Sequence, residues 1–505
     1  MENKFLNGLK EANNFTYTEN GAVTHVSTLS KVLDMFALGG SYRNRTEEDC
    51  ITLFKSALAE DEALALKCLF YLADVRGGQG ERRFFKVCYK WLAENYEEIA
   101  LRNMKYIPEY TRWDNLYCLI GTSLENEMFE FMKEQLAKDL VSYDSNPKAS
   151  VSLLAKWLKS CNASSKETRK LGKKTAKAFG MTEKQYRKTL AALRERSRVV
   201  ERLLSQNRID EIEYDKIPSK AGLIYRNVFA KKDYERYNKF INSKETKVNA
   251  GVLNPVDIAT QIYDASYRVT DNDRVVWQKY WDNLKDYYNG REENGIAIVD
   301  TSGSMYGRPL AAAVSMGAYI AERGHGPFAN HFITFSSNPD LVEFEGVDIY
   351  AKFTKARTAD WGGSTNIEAT FDMMLDVIRD KNIPADEIPA RLYIFSDMEF
   401  NACVTSNQKS TTRWGYDCYA YMSNSNKMNT LLESIAEKWK SYGYELPQVI
   451  FWNLDARQDN IPALNGRFAY VSGNSMSTIE AILSGKDGYD LMLEVLQKER
   501  YEVIK

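Results

Sequence analysis

The chain has few of the residues on which many enzyme classes depend. Only three histidines occur in 505 residues, His25, His325 and His331, which leaves little for histidine-based acid–base chemistry. Its 7 cysteines are scattered without a C-x-x-C pair. That argues against a zinc ribbon or a disulfide framework and for reduced thiols in a cytosol-like compartment. No run approaches the ~20 apolar residues of a membrane span. The amino-terminal stretch MENKFLNGLKEANNF lacks the apolar core of a signal peptide. A formal net charge of −2 rules out polyanion binding by the chain as a whole, so any such role must come from a local patch. These absences predict a soluble, cytoplasmic protein with no membrane association.

What is present describes a globular chain. Apolar content is 44% and charged content 27%, the usual balance for soluble domains. The length exceeds one ordinary core, so two or three domains are expected.

The most informative stretch is GIAIVDTSGSM, residues 295–305. A short β-branched apolar run predicts a buried parallel strand that ends in Asp300-Thr301-Ser302-Gly303-Ser304. Asp300, Ser302 and Ser304 are hard oxygen donors at alternate positions, the chemistry of a Mg²⁺ or similar divalent site. The plain alternative is a turn whose Asp and Ser cap the next helix. Two later segments favour the metal. Trp361-Gly362-Gly363-Ser364-Thr365-Asn366 opens another helix, and RLYIFSD (391–397) is a second apolar strand ending on an acid. Further on, QVIFWN (448–453) and residues 468–471 predict the remaining strands. Strand and helix patterns alternate, which predicts a doubly wound, mostly parallel α/β sheet.

The amino-terminal half has helical periodicity, with turns at Arg76-Gly77-Gly78-Gln79-Gly80-Glu81-Arg82 and at residues 107–114. Helix pairs divided by such turns suggest a helical-repeat (HEAT-like) array without a clean fixed period. The glycine turn is either a helix–helix connection or a phosphate cradle; Arg76, Arg82 and Arg83 flank it. Between Lys159 and Arg202 stand 14 basic residues against 4 glutamates. Such an excess is the footprint of a phosphate-backbone binder, with Lys170, Lys173, Lys174, Lys177, Arg187, Lys188 and Arg194 as candidates. Two solvated helix faces are the alternative. Interleaved Tyr and Lys between Tyr225 and Lys239 suit either base stacking or the rims of amphipathic helices. The polar segment 401–429 predicts either an insertion that borders the ligand crevice and covers or contacts the metal, or a disordered insertion with no role.

Five positions, Asp300, Ser302, Ser304, Thr365 and Asp397, resemble the metal-ion-dependent adhesion site (MIDAS) of von Willebrand factor A (vWA) domains. That resemblance implies Ser and Thr hydroxyls touching Mg²⁺, aspartates acting largely through water, and one open position for a partner's carboxylate or other oxygen. Together with YLADVRGGQGERRFF (71–85), IPEYTRWDNL (107–116), LLAKWLKS (153–160), YRKTLAALRERSRVVER (186–202) and DKIPSKA (215–221), the chain resembles the Ro autoantigen (TROVE) family. It is closer still to an uncharacterised family of vWA proteins from viruses, bacteria and plants. The resemblance implies a TROVE-like helical domain over residues 1–290, ring-shaped as in Ro, and a vWA-like domain over 291–505. Ro proteins bind small noncoding RNAs and single-stranded RNA ends, so structured or single-stranded RNA is the implied partner and a ribonucleoprotein scaffold the implied role. The alternative is a metal-dependent protein-interaction module that takes a partner's carboxylate and has no RNA role. A hydrolase fits least, because no positioned base accompanies the metal motif; the chain is expected not to be an enzyme.

Overall fold

The computed structural model describes residues 4–146, 149–197, 199–265, 269–335, 339–357, 365–402, 408–411, 417–420, 429–464 and 466–505. Its amino-terminal half is helical and its carboxyl-terminal half is built on a six-stranded mixed sheet.

Ten strands are described: β1 (Phe15–Tyr17), β2 (Val23–His25), β3 (Gly295–Asp300), β4 (His331–Phe335), β5 (Asp340–Glu343), β6 (Arg391–Ser396), β7 (Gln408–Thr411), β8 (Asp417–Ala420), β9 (Gln448–Asn453) and β10 (Phe468–Ser472). The main sheet runs β10-β9-β6-β3-β4-β5. All its pairs are parallel except the β4–β5 edge. Strands β3, β9 and β10 are buried along their whole length, which explains why they read as continuous apolar runs. The Arg308–Arg323 helix packs directly on β3. An added Cβ at Gly317 would lie 2.6 Å from Val299 Cγ2, so only glycine permits that approach. Within the predicted insertion, β7 and β8 form a small antiparallel ribbon. Its remaining residues between 403 and 428 lie outside those described, so the expected cover over the crevice does too.

The helical half is assembled from helices packed on their chain neighbours, such as Glu47–Glu60, Glu62–Ala73 and Arg82–Asn95. A capping box between Thr46 and Asp49 starts the first of these, as its T-x-x-D pattern dictates. The glycine turn is a helix–helix connection. A Cβ at Gly78 would fall 1.8 Å from Tyr71 O, so the chain folds back too tightly for any side chain there. Tyr214, Phe229 and Tyr237 pack as one aromatic cluster, with ring centroids 5.0–5.5 Å apart. Tyr214 and Tyr237 are thereby core residues and are not free to stack on bases.

Both halves share one contiguous apolar core. The β1–β2 hairpin sits on the carboxyl-terminal half, where Gly21 bridges Asn401 and His25 bridges Ile461. The Lys31–Leu38 helix lies against β10; Ser472 Oγ donates to Phe36 O at 2.9 Å and accepts from Gly40 N at 2.9 Å. Gln79 reaches across to Thr478 Oγ1 (3.1 Å) and accepts from Ser475 N (3.1 Å). At the carboxyl terminus, Arg500 and Tyr501 converge on the buried carboxylate of Asp74.

Candidate metal centre

In a parallel sheet all carboxyl ends meet at one edge, so loops distant in sequence become neighbours there. β3 ends at Asp300 and the adjacent β6 ends at Ser396, which places Asp300 beside Asp397. Both aspartates are almost fully buried. Ser302 N donates to Asp300 Oδ1 at 2.9 Å, and the Ser396 hydroxyl donates to Asp300 Oδ2. Ser302 Oγ and Ser304 Oγ lie 2.9 Å apart. Glu399 N donates to Asp397 Oδ1 at 3.1 Å. Thr365 stands just before the Ile367–Lys381 helix, whose first turn is capped by Asn366. Its carbonyl accepts from Asn401 N at 3.0 Å, which ties it to the segment after β6. The two carboxylates and the hydroxyl loops are therefore brought to one edge; Gly363 and Ser364 lie outside the described residues.

The electrostatics fit a cation. Burial, followed by the neighbouring Asp397 carboxylate, pushes Asp300 up to about 7. Two buried carboxylates that feel each other's charge are costly unless positive charge joins them. Arg457 supplies part of that charge, donating from Nη2 to Asp397 Oδ2 at 2.6 Å. The donors are hard oxygens from hydroxyls and carboxylates, as Mg²⁺ prefers. Among the described residues, no three His, Cys, Asp or Glu side chains converge as a metal cluster. The set here is of another kind, two carboxylates with three hydroxyls.

Residues far away in sequence complete the edge. Asn20, at the tip of the β1–β2 hairpin, donates to Glu399 O (2.5 Å) and to Thr365 Oγ1 (3.4 Å). Glu19 pairs with Arg457 at 2.8 Å, and its backbone N–H donates to Glu399 Oε2 at 2.6 Å. Burial pushes Glu399 up to about 8 against the Glu19 N–H bond. Met398, between the acids, holds a left-handed φ of 65°, a strained conformation for a non-glycine residue. A cavity of about 490 Å³ opens beside Arg457, bordered by Asn44, Arg45 and Thr46. Arg457 had a sequence signal: QVIFWNLD repeats the pattern of an apolar strand ending on an acid. Glu19 and Asn20 had none.

The basic candidates divide by environment. Lys170, Lys173 and Lys177 are exposed on the Lys166–Ala178 helix at steps of three and four, one continuous face. Arg187 and Lys188 are exposed on the neighbouring Glu183–Arg196 helix. Lys173 meets Glu183 at 3.1 Å in the open, and Lys174 is held by Glu125 at 2.6 Å. Arg194 instead clasps backbone, donating to Ala155 O (2.7 Å) and Leu158 O (2.8 Å). Arg76 is exposed and donates to Glu109 O at 2.7 Å. Arg83 leans on Tyr42 O at 3.4 Å, and Arg82 is half-buried.

Comparison with known proteins places the chain. A family model described as a domain of unknown function, DUF2828, matches residues 18–115 and 123–290. The chain belongs to the DUF2828 family. A second model, also described as a domain of unknown function (DUF7788), matches residues 294–503. The uncharacterized protein L728 of Acanthamoeba polyphaga mimivirus is 28% identical over 530 residues, covering 96% of this chain and 87% of that protein. The kinship to uncharacterised viral proteins expected from the sequence is thus found. Among solved structures, the crystal structure of the Deinococcus radiodurans Ro (RSR) protein is similar at a TM-score of 0.39 and 12% identity. It covers 94% of this chain and all of that one. No described helix is long and apolar enough to cross a membrane.

Proposed function

We propose that this protein is a non-enzymatic, Ro-like RNA-binding scaffold whose carboxyl-terminal half is a vWA-like domain with a MIDAS-type Mg²⁺ site. The observation carrying this reading is the meeting of the Asp300, Ser302 and Asp397 loops at the carboxyl edge of the sheet, with Thr365 tied to the same edge. Asp300, Ser302, Ser304, Thr365 and Asp397 would hold the ion. A bound Mg²⁺ supplies an open, Lewis-acidic position that takes an oxygen anion from a partner. Arg457 orients Asp397, and Asn20 and Glu19 brace the rim of the site.

The RNA part of the reading is supported by the exposed basic face of Lys170, Lys173 and Lys177, extended by Arg187 and Lys188, with Glu183 paired to Lys173 on it. Such a face attracts a phosphate backbone without reading its sequence. A HEAT-like, ring-forming arrangement of the helical half and a cytoplasmic setting belong to the same reading. Its test is to measure RNA retention by the purified protein across a salt titration, beside Mg²⁺ binding by calorimetry. Salt-sensitive RNA binding together with a Mg²⁺ isotherm supports the scaffold. Mg²⁺ binding without RNA binding turns the assignment to a protein-interaction module.

A further inference from the structure

A second cavity, of about 300 Å³, lies at the end of the sheet opposite the metal loops. That volume suits a small molecule. The Leu431–Ser441 helix forms one wall, presenting Glu433, Ala436, Glu437 and Lys440 at steps of three and four along one face. The stretches leading into β9 and β10 form the other wall. Those strands run parallel with Phe468 opposite Val449, and Val449 N donates to Arg467 O at 2.9 Å. Pro447 and Arg467 therefore stand at the amino ends of adjacent strands. β9 spans six residues, so the metal loops lie about 17 Å away along it, at ~3.3 Å per residue. Pro447 and Phe468 are buried and Leu446 partly so, which gives the cavity an apolar side. Gly466 holds a φ of 139°, and an added Cβ there would lie 2.5 Å from Phe468 Cε2. Only glycine lets the Phe468 ring keep that place.

The polar side of the lining is unsatisfied. Glu433 is the exception: it accepts from Thr430 N and Leu464 N at 3.0 Å each and faces His25 Nε2 at 3.2 Å. Glu437, Lys440, Glu445 and Arg467 also line the cavity, each with its side chain exposed. Among the described residues, none of these four makes an ion pair. Asn429, just before the helix, completes the lining, and its Nδ2 is buried without an acceptor among the described residues. A buried donor left unmet is costly, and an arriving oxygen removes that cost. Two acids and two bases thus border one cavity without neutralising each other. The complement is a ligand that carries both signs.

We propose that this cavity binds a small zwitterion, an α-amino acid with an apolar side chain. Its ammonium group pairs with Glu437 and Glu445. Its carboxylate accepts from Arg467, Lys440 and the Asn429 amide, a set in which the guanidinium and the amide bring planar donors suited to a carboxylate. Its side chain lies against Phe468, Pro447 and Leu446, where burial of apolar surface adds to the affinity. The site stands apart from both the metal centre and the basic helices, and so does not depend on the RNA reading.

The test is calorimetry on the full chain with L-leucine and L-phenylalanine as probes. Two analogues of leucine each lack one charge: 3-methylbutylamine has no carboxylate and 4-methylpentanoate no ammonium. Each should bind about tenfold or more weakly than L-leucine, the usual loss for one charge-assisted contact. Arg467→Gln, and Glu437→Gln combined with Glu445→Gln, should weaken amino-acid binding by a similar factor. Both variants should keep the wild-type Mg²⁺ isotherm, which separates this site from the metal centre. Binding of either amino acid, lost with either charge of the ligand or of the cavity, supports the site. Should the variants fail to fold, the analogue series on the wild type decides alone. No binding of either amino acid, equal binding of the one-charge analogues, or affinity unchanged in both folded variants overturns the proposal.

Discussion

Arg457 reaches 60 residues back along the chain to donate to Asp397 Oδ2 at 2.6 Å. With Asp300 close behind, that guanidinium supplies part of the positive charge set against a pair of buried acids. Arg457→Ala should lower stability by about 1–2 kcal/mol, a buried-pair loss discounted because the arginine side chain is 34% exposed. Saturating Mg²⁺ should recover most of it, because a cation bound at the same acids stabilises the native state by mass action. Melting curves of the variant with and without Mg²⁺ check this; a loss insensitive to Mg²⁺ would count against the metal assignment.

Asp300→Ala combined with Ser302→Ala should abolish Mg²⁺ binding while the far-ultraviolet circular dichroism stays unchanged. Removing Asp300 also removes the acid that burial and Asp397 push up to about 7. The double variant should therefore melt no lower than the metal-free wild type by more than about 1–2 kcal/mol. An unaltered Mg²⁺ isotherm would sink the site.

Reversing Lys170, Lys173, Lys177 and Lys188 to Glu should remove RNA affinity at physiological salt. Against the wild type, the slope of log affinity on log salt should fall by about 3, at ~0.7–0.9 per phosphate contact. Affinity surviving with the same slope would move the contact surface elsewhere. Arg194→Ala is a contrasting case: it frees the Ala155 and Leu158 carbonyls and should show up in stability rather than in salt dependence.

Arg500→Ala should destabilise the chain by about 2–3 kcal/mol, because Asp74 is fully buried and loses its charged partner. Urea unfolding with an unchanged m-value is the expected signature. A shift below about 0.5 kcal/mol would mean that Tyr501 and the local N–H groups suffice for Asp74.

Acid should act through Glu433. Burial raises its pKa, but hydrogen bonds from His25, Leu464 N and Thr430 N outweigh this and hold it down at about 2, against an ordinary value of 4.5. The folded pKa is depressed, so this contribution is complete above about 4.5 and is lost as pH falls toward about 2. Glu433→Gln should be less stable at neutral pH and should show a flatter stability curve across that acid window. Parallel curves for the two proteins would exclude Glu433 as the titrating group.

Much of the sheet could be read directly from the chain because its strands are buried on both faces. GIAIVD, RLYIFS and QVIFWN are apolar β-branched or aromatic runs ending on polar residues, and they became β3, β6 and β9. The meeting of Asp300 and Asp397 followed from the same logic, since parallel strands present their carboxyl ends together. The partners of those acids could not be read. Glu19 and Asn20 lie on a three-residue-strand hairpin with no pattern of its own, and only tertiary contact places them. The basic run misled in another way: charge composition cannot tell the exposed Lys177 from Arg194, which is occupied with carbonyl groups. Interleaved Tyr and Lys were ambiguous for the same reason, and packing assigned Tyr214 and Tyr237 to the interior.

The hairpin at the start of the chain closes the edge formed near its end. Thr24 Oγ1 donates to Ile461 O across 437 positions, so during synthesis this contact cannot form until residue 461 has been made. In that interval the hairpin waits without its Ile461 partner, a stage at which unpaired strand edges invite association with other chains. Fragments cut at the seam between the two halves will lack this buttress, and with it the Asn20 bonds to Glu399 and Thr365 at the rim of the candidate metal centre.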